Sequence, residues 1–282
     1  MKLSVVIVSW NVRGLLRQCL QSLQRSSQAL ELEVIVIDNH SSDGSRVMVM
    51  SEFPQVRLIA NDTNLGFAAA NNQGLAQATG DYILMLNPDT EVKPTALAQL
   101  VDQLAQKPQV GIIAPALLNP DGSRQRSVRR NPSVADQTAV LLKMINVLPS
   151  VWPLRQYLCW DFDYSQATEV EQLMGAALLF RRSLLDQIGT LDESFYLWFE
   201  EVDFCRRVQR AGLKLLYYPA AEIVHHGKAS FRQHLTLRLQ MMFDRSLLTY
   251  MKKHSNPIAV AWLYLMIPFN LLLTWLYSFI KG

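Results

Sequence analysis

Asp89 has the sharpest chemical promise in this chain. It ends the tight turn Asn87-Pro88-Asp89, directly after the apolar run Tyr82 to Leu86. A carboxylate in such a turn is well placed to hold a divalent cation, which would bridge the two phosphates of a leaving nucleotide. The rival is an Asx-turn, with Asp89 capping a helix that starts near Pro94. A second acidic cluster is Phe199-Glu200-Glu201-Val202-Asp203. Acidic residues favour helix N-termini, and Asp203 is spaced to pair with Arg207, so a helix start accounts for the cluster. A general base near an acceptor is the chemical alternative. His225 and His226 are neighbours in an extended segment. They point to opposite faces of a strand, so at most one of them joins a given site.

Three more polar groups follow apolar runs: Ser9-Trp10-Asn11, Asp38-Asn39, and Asn61 to Gly66. Each alone is an ordinary loop. With Asn87 to Asp89 they make four clusters along one edge of one sheet, where a nucleotide binds. The Asp38 carboxylate can accept from a base N–H, and glycine at 66 permits close backbone approach.

Alternating elements must position these groups. Strands are predicted at Leu3 to Ser9, Glu33 to Asp38, Val56 to Ala60 and Asp81 to Leu86. Between them lie a helix through Leu15, Leu16, Cys19, Leu20 and Leu23, turn chemistry at Ser41 to Gly44, and an Ala-rich helix from Gly66 to Ala78. Another helix turns Leu97, Leu100, Val101 and Leu104 inward. This alternation implies a parallel, doubly wound α/β sheet. Further on, Asn119 to Asn131 is turn-rich and Pro149 to Tyr164 reads as a flexible loop. A strand is predicted from Val170 to Arg181, and a helix from Glu201 to Ala211 closed by Gly212. Short strands follow at Leu213 to Tyr218 and Ala221 to His226, then one long helix from Phe231 to His254.

The chain has 282 residues, 50% hydrophobic, with a net charge of +3. That balance argues against a dedicated nucleic-acid binder. One local run is basic, at Arg124, Arg126, Arg129 and Arg130; it reads equally as a solvated loop or an anionic-ligand site. Three scattered cysteines, with no CxxC, fit a reducing compartment. The apolar run Leu3 to Val8 is too short for a secretory segment and reads as a buried strand.

Ile258 to Ile280 carries 23 residues without a charge. As a helix it spans about 34 Å, enough to cross a hydrocarbon core. Trp262, Tyr264, Trp275 and Tyr277 suit an interface. Lys252 and Lys253 precede the run and only Lys281 follows, which keeps the preceding domain in the cytoplasm. Pro268 would kink a spanning helix, and Asn270, Thr274 and Ser278 share one helical face. Spanning, lying in the membrane plane and packing on the domain stay open. The expected division is 1–230 as the nucleotide-binding domain, 231–256 as a helical extension and 257–282 as the membrane-associating segment.

Ser4-Val-Val-Ile-Val-Ser-Trp-Asn11, Val36-Ile-Asp-Asn-His-Ser-Ser-Asp-Gly-Ser45 and Asn64-Leu-Gly-Phe-Ala-Ala-Ala-Asn-Asn-Gln-Gly74 resemble family 2 glycosyltransferases. So do Leu86-Asn-Pro-Asp-Thr90, Met174-Gly-Ala-Ala177 and Phe199-Glu-Glu-Val-Asp-Phe-Cys-Arg206. The likeness is nearest to the rhamnosyltransferase-like branch, which typically uses dTDP-L-rhamnose, and covers about residues 3 to 230. It implies a GT-A fold and an inverting displacement from a nucleotide-diphosphate sugar to a glycan or lipid-linked acceptor, with Mg2+ or Mn2+. By position it makes Glu201 the base and Asp89 and His225 the metal ligands. Ser9, Asn11, Asp38, Gly66, Asn71 and Asn87 would meet the nucleotide; Gly175, Trp198 and Glu200 would border the donor or acceptor sugar. Asn87 and Glu201 each stand where the family has aspartate. Asn87 can still hydrogen-bond ribose or a metal-bound water, and Glu201 adds one methylene of reach. Against a sugar-1-phosphate nucleotidyltransferase, Trp10-Asn-Val-Arg-Gly-Leu15 poorly matches a triphosphate loop. Against a non-catalytic binder, Asp89, Glu201 and His225 occur together.

Overall fold

The computed structural model describes residues 1–26, 30–227 and 237–281, the last five as backbone only. The first half follows the predicted alternation. β1 (Lys2–Ser9), α1 (Arg13–Ser26), β2 (Glu31–Asp38), α2 (Ser45–Glu52), β3 (Arg57–Ala60), α3 (Phe67–Gln77) and β4 (Tyr82–Leu86) succeed one another. β1 to β4 are parallel neighbours in the order β3-β2-β1-β4. Their side chains alternate between two cores. Val5 and Ile7 of β1 pack with Leu16 and Leu20 of α1, whereas Val6 and Val8 pack with Ala68 and Leu75 of α3. A strand buried on both faces has no polar alternation to show, hence the unbroken apolar runs.

The second half departs from the prediction in five places, the last of them in the final strand. β5 (Thr90–Val92) lies between the Asn87-Pro88-Asp89 turn and α4 (Ala96–Ala105). Thr95 stands at the N-cap of α4, so Asp89 does not cap it. β6 (Val110–Leu118), where no strand is predicted, is buried at all nine positions. After β7 (Val128–Arg129) and α5 (Val134–Leu141), the segment expected to be a flexible loop is instead packed. It contains α6 (Leu154–Tyr157), whose Leu154 is buried beside Ala139 and Leu158. The strand expected from Val170 to Arg181 is broken into β8 (Thr168–Val170), β9 (Gln172–Leu173) and β10 (Ala177–Arg181). β10 runs antiparallel between β4 and β6, so the nine-stranded sheet is mostly parallel.

α7 (Leu184–Ile188) and α8 (Glu200–Arg210) follow. Gly212, at φ 79°, closes α8 as expected. The two short strands expected next are a single one, β11 (Lys214–His225), with a register irregularity between Tyr218 and Glu222. α9 (Leu237–His254) and α10 (Pro257–Lys281) complete the chain. Residues 231–236 of the expected long helix, and the expected boundary at 230/231, lie outside the described residues. α9 buries Leu247, Tyr250 and Met251 in one core with Phe195, Phe199 and Val202.

Candidate active site

The polar clusters gather at the carboxyl ends of β1, β2, β3 and β4, because parallel strands point their ends the same way. Asp38 is fully buried there. Its Oδ1 accepts from the Arg46 guanidinium at 2.7 Å and from the Ser41 N–H at 3.0 Å. Its Oδ2 is buried and has no hydrogen-bond partner among the described residues, and the same holds for the Ser9 hydroxyl. An unused buried acceptor costs about 1–3 kcal/mol, so both atoms suit a ligand donor. Asn11, at φ 53°, accepts from the Ser42 N–H at 2.8 Å. Asn71 is buried in α3 and donates to the Phe67 carbonyl at 2.9 Å.

Asn39, which has no predicted role of its own, organises the loop after β3. Its amide donates to Asn64 Oδ1 and to the Gly66 carbonyl, and its Oδ1 accepts from Asn61 and from the Leu65 N–H. Gly66 has φ 86°, and a Cβ there would lie 2.6 Å from the Tyr196 carbonyl oxygen. The backbone that approaches Gly66 is thus that of Tyr196, whose carbonyl also accepts from the Phe67 N–H at 2.7 Å.

Asp89 and His225 face each other, with Oδ1 to Nε2 at 3.4 Å and both side chains only about a tenth exposed. Gln125 sets the ring's tautomer. Its Nε2 donates to Asn119 Oδ1 at 2.9 Å and to the His225 carbonyl at 2.6 Å. Its Oε1 is therefore the atom 2.9 Å from His225 Nδ1, and Nδ1 carries the proton. In the neutral ring Nε2 then presents a lone pair toward the Asp89 carboxylate. Two converging acceptors make a donor set for a cation, and outer-shell orientation of this kind tunes metal ligands. Among the described residues no group of three or more His, Cys, Asp or Glu forms a complete metal cage. A hard cation at a phosphate site keeps waters and substrate oxygens as its other ligands, so a two-residue set fits. His226 points away to Glu91, 2.7 Å distant, in line with the strand-parity expectation. Gln125→Ala is expected to weaken divalent-cation affinity 10–100-fold with the fold retained; Mn2+ titration by calorimetry in the presence of a nucleoside diphosphate checks this.

Gln125 belongs to the basic run. Arg124 donates to the Tyr164 carbonyl, Arg126 stacks over Trp160 at 3.7 Å, Arg129 donates to two nearby carbonyls and Arg130 approaches Glu171 at 4.0 Å. The run ties the 157–171 segment to the strands.

Glu200 and Glu201 open α8. The turn before them is strained: Trp198 and Phe199 both have positive φ, 65° and 69°. Such residues cost of order 1–3 kcal/mol each and persist where the surroundings over-determine them. α9 supplies that restraint. The Phe199 ring lies 5.4 Å from Phe243 and 5.6 Å from Tyr250, and Ser246 donates to the Leu197 carbonyl at 2.7 Å. Lys253 pairs with Asp192, and His254 meets Asp203 at 2.7 Å. Asp203 also takes Arg207 at 2.7 Å, the predicted helical pair. Burial would raise the Asp203 pKa, but these two hydrogen-bonded partners outweigh it and hold it low.

Glu200 is 5% exposed. Burial pushes its carboxyl well above the usual range, and the Glu201 charge adds to the effect. Burial also raises Glu201. Each keeps one Oε2 without a hydrogen-bond partner among the described residues. Gly175 supports Glu201 directly: a Cβ there would lie 3.1 Å from Glu201 Cγ. The break between β9 and β10 makes that approach possible. The same break joins the two halves of the site, since the Asn87 N–H donates to the Ala176 carbonyl at 2.9 Å.

A mostly parallel α/β sheet with polar groups at its carboxyl edge is a nucleotide-binding architecture, and similarity to known proteins gives the family. Residues 4–189 match the family described as Glycosyl transferase family 2. The chain belongs to that family and is a glycosyltransferase. An N-acetylglucosaminyl-diphospho-decaprenol L-rhamnosyltransferase of Mycobacterium tuberculosis is 31% identical over 79% of this chain and 76% of that protein. Rhamnosyltransferase WbbL of Escherichia coli is 23% identical over 87% and 94%. Among solved structures, mannosyltransferase PcManGT from Pyrobaculum calidifontis, in complex with GDP-Man and Mn2+, superposes with a TM-score of 0.60. It is 19% identical, over 99% of this chain and 75% of that one, which establishes the GT-A fold.

Proposed function

We propose that this glycosyltransferase moves L-rhamnose from a dTDP-linked donor, with inversion, to a hydroxyl of a lipid-linked glycan at the cytoplasmic face of the cell membrane. The observation that carries the reading is the adjacency of two unlike groups. The Asp89–His225 donor pair is tied through Asn87 and Ala176 to the strand break where Gly175 seats Glu201. The sugar and acceptor follow the two rhamnosyltransferase relatives, one of which is named for N-acetylglucosaminyl-diphospho-decaprenol.

In this reading the acceptor oxygen bonds to the anomeric carbon while the bond to the diphosphate oxygen breaks. Glu201 takes the hydroxyl proton. Its raised pKa makes it the stronger base once ionised. Asp89 and His225 would hold Mg2+ or Mn2+, which would neutralise charge on the leaving diphosphate. Asp38 Oδ2 accepts from the nucleotide base, and Ser9, Asn11, Gly66, Asn71 and Asn87 line the nucleotide. Gly175, Trp198 and Glu200 border the sugars.

Thermal shift with dTDP, UDP and GDP, and with their sugars, tests the donor. A ligand at 100 times its dissociation constant stabilises by about 2.7 kcal/mol. Asp38→Asn keeps an acceptor for Arg46 and Ser41 but can turn the unused Oδ2 into a donor. It is expected to weaken nucleotide binding roughly 10–100-fold, the worth of a hydrogen bond to a charged group, with little loss of stability. Wild-type affinity in this variant overturns the role of Asp38.

A further inference from the structure

The outer face of α10 and the flank of α9 form one surface of unusual make-up. α10 is long and apolar enough to cross a membrane, with mean hydropathy 1.8 over Pro257–Leu276. Its inner stripe is nevertheless committed to the protein. Asn270 is 0% exposed, and its amide donates to both oxygens of Asp244 in α9, at 2.8 and 2.9 Å. Thr274 bonds the Asn270 carbonyl, and at the edge of the outer face Trp262 keeps its ring exposed while its N–H donates to Thr138 of α5 at 2.9 Å. The polar stripe seen in the sequence therefore faces α9 at Asn270 and Thr274; the side chains of Ser278 and Tyr277 lie outside the described residues.

The opposite face is exposed. Ile258, Trp262, Leu265, Phe269, Leu272 and Leu276 recur at alternating spacings of four and three, 45–82% exposed. At about 100° per residue, the exposed positions cover an arc of roughly 160°. That arc carries no charge. Beside it, α9 exposes Arg238, Arg245 and Lys252, seven residues apart and so on one face. Lys252 borders α10 directly, its Nζ lying 5.2 Å from the Tyr264 ring.

We infer that α10 lies in the plane of a membrane, its outer face sunk into one leaflet, while Arg238, Arg245 and Lys252 bind anionic lipid headgroups. Crossing would require α10 to leave α9, stranding Asn270 in hydrocarbon and leaving buried Asp244 with the Gln240 amide of its own helix in place of both Asn270 bonds. An in-plane helix keeps both bonds and still buries the apolar arc to the depth of the headgroup boundary. The basic row selects the occupant. Two copies of this face would bring like charges together, whereas an anionic leaflet complements them. The inference rests on the proposed function only for its purpose, holding the site beside a lipid-linked acceptor; binding itself needs no sugar.

The test uses the full chain, with a C-terminal peptide tag, added to sealed vesicles of neutral phosphatidylcholine with or without 30 mol% (about one in three) phosphatidylglycerol. Flotation is expected with the anionic vesicles, much weaker with neutral ones, and salt-sensitive. The tag should stay open to protease outside. Arg238→Glu, Arg245→Glu and Lys252→Glu together are expected to weaken anionic-vesicle binding on the order of a hundredfold. Leu265→Asp with Phe269→Asp should abolish binding to both. Donor-hydrolysis rates in solution should be unchanged in either variant, which separates this result from a failure of the proposed chemistry. A protease-protected tag, equal binding to neutral vesicles, or a lipid-free dimer that ignores vesicles each overturns the inference.

Discussion

Glu201→Gln is expected to lower kcat by about 10²–10⁴, the usual cost of losing a general base, with donor affinity retained. The amide keeps the shape that Gly175 accommodates at 3.1 Å, so nucleotide binding and fold serve as controls. Near-normal turnover in this variant would sink the assignment. The pH profile gives an independent check. The base works ionised, and burial raises Glu201, so the acid limb of kcat/KM should lie above the ordinary carboxylate range. Glu200, pushed higher by burial and by the Glu201 charge, is still protonated when Glu201 ionises, so Glu200→Gln should leave that limb in place. Stability has the opposite sign. A carboxyl with a raised folded-state pKa binds its proton more tightly in the native state. The stabilisation is complete below the unfolded pKa and is lost as pH rises through the folded one. Glu200→Gln should therefore flatten that loss; denaturant melts between mildly acidic and neutral pH measure it.

Asp89→Ala is expected to reduce activity by roughly 10³ or more, the several kcal/mol a phosphate-bound cation supplies. Fold should be kept, because the structural bond at this position uses the backbone: the Asp89 carbonyl accepts from the His226 N–H at 2.9 Å. Mn2+ binding in the presence of a nucleoside diphosphate, read by electron paramagnetic resonance, should fall in parallel. His225→Ala should follow the same pattern, whereas His226→Ala should not. Full wild-type activity in EDTA would remove the cation from the reading altogether.

Asp89, Glu201 and His225 are all legible in the sequence as chemical groups, and so is the parity that separates His225 from His226. What restrains them is not. Gln125 sits in an arginine-rich run, and nothing local marks it as the residue that fixes the His225 tautomer across 100 positions of chain. Asn39 likewise has neighbours that suggest only a loop. Gly175 falls within a predicted strand, and the break that brings it against Glu201 depends on β10 inserting antiparallel between β4 and β6.

The β1 to β4 alternation, and the edge where its polar clusters collect, can be read from the residues in order along the chain. Periodicity and turn chemistry are local properties, and parallel pairing does the rest. The apolar character of α10 and its one polar stripe are equally local features. Where that stripe points depends on packing between helices. The bonds from Asn270 to Asp244 pair groups 26 residues apart in sequence, through a helix hairpin whose packing no periodicity specifies. The same holds for the strained Trp198–Phe199 turn. Its positive φ values are unfavourable for aromatic residues taken alone, and they persist because α9 packs Phe243, Ser246 and Tyr250 against it.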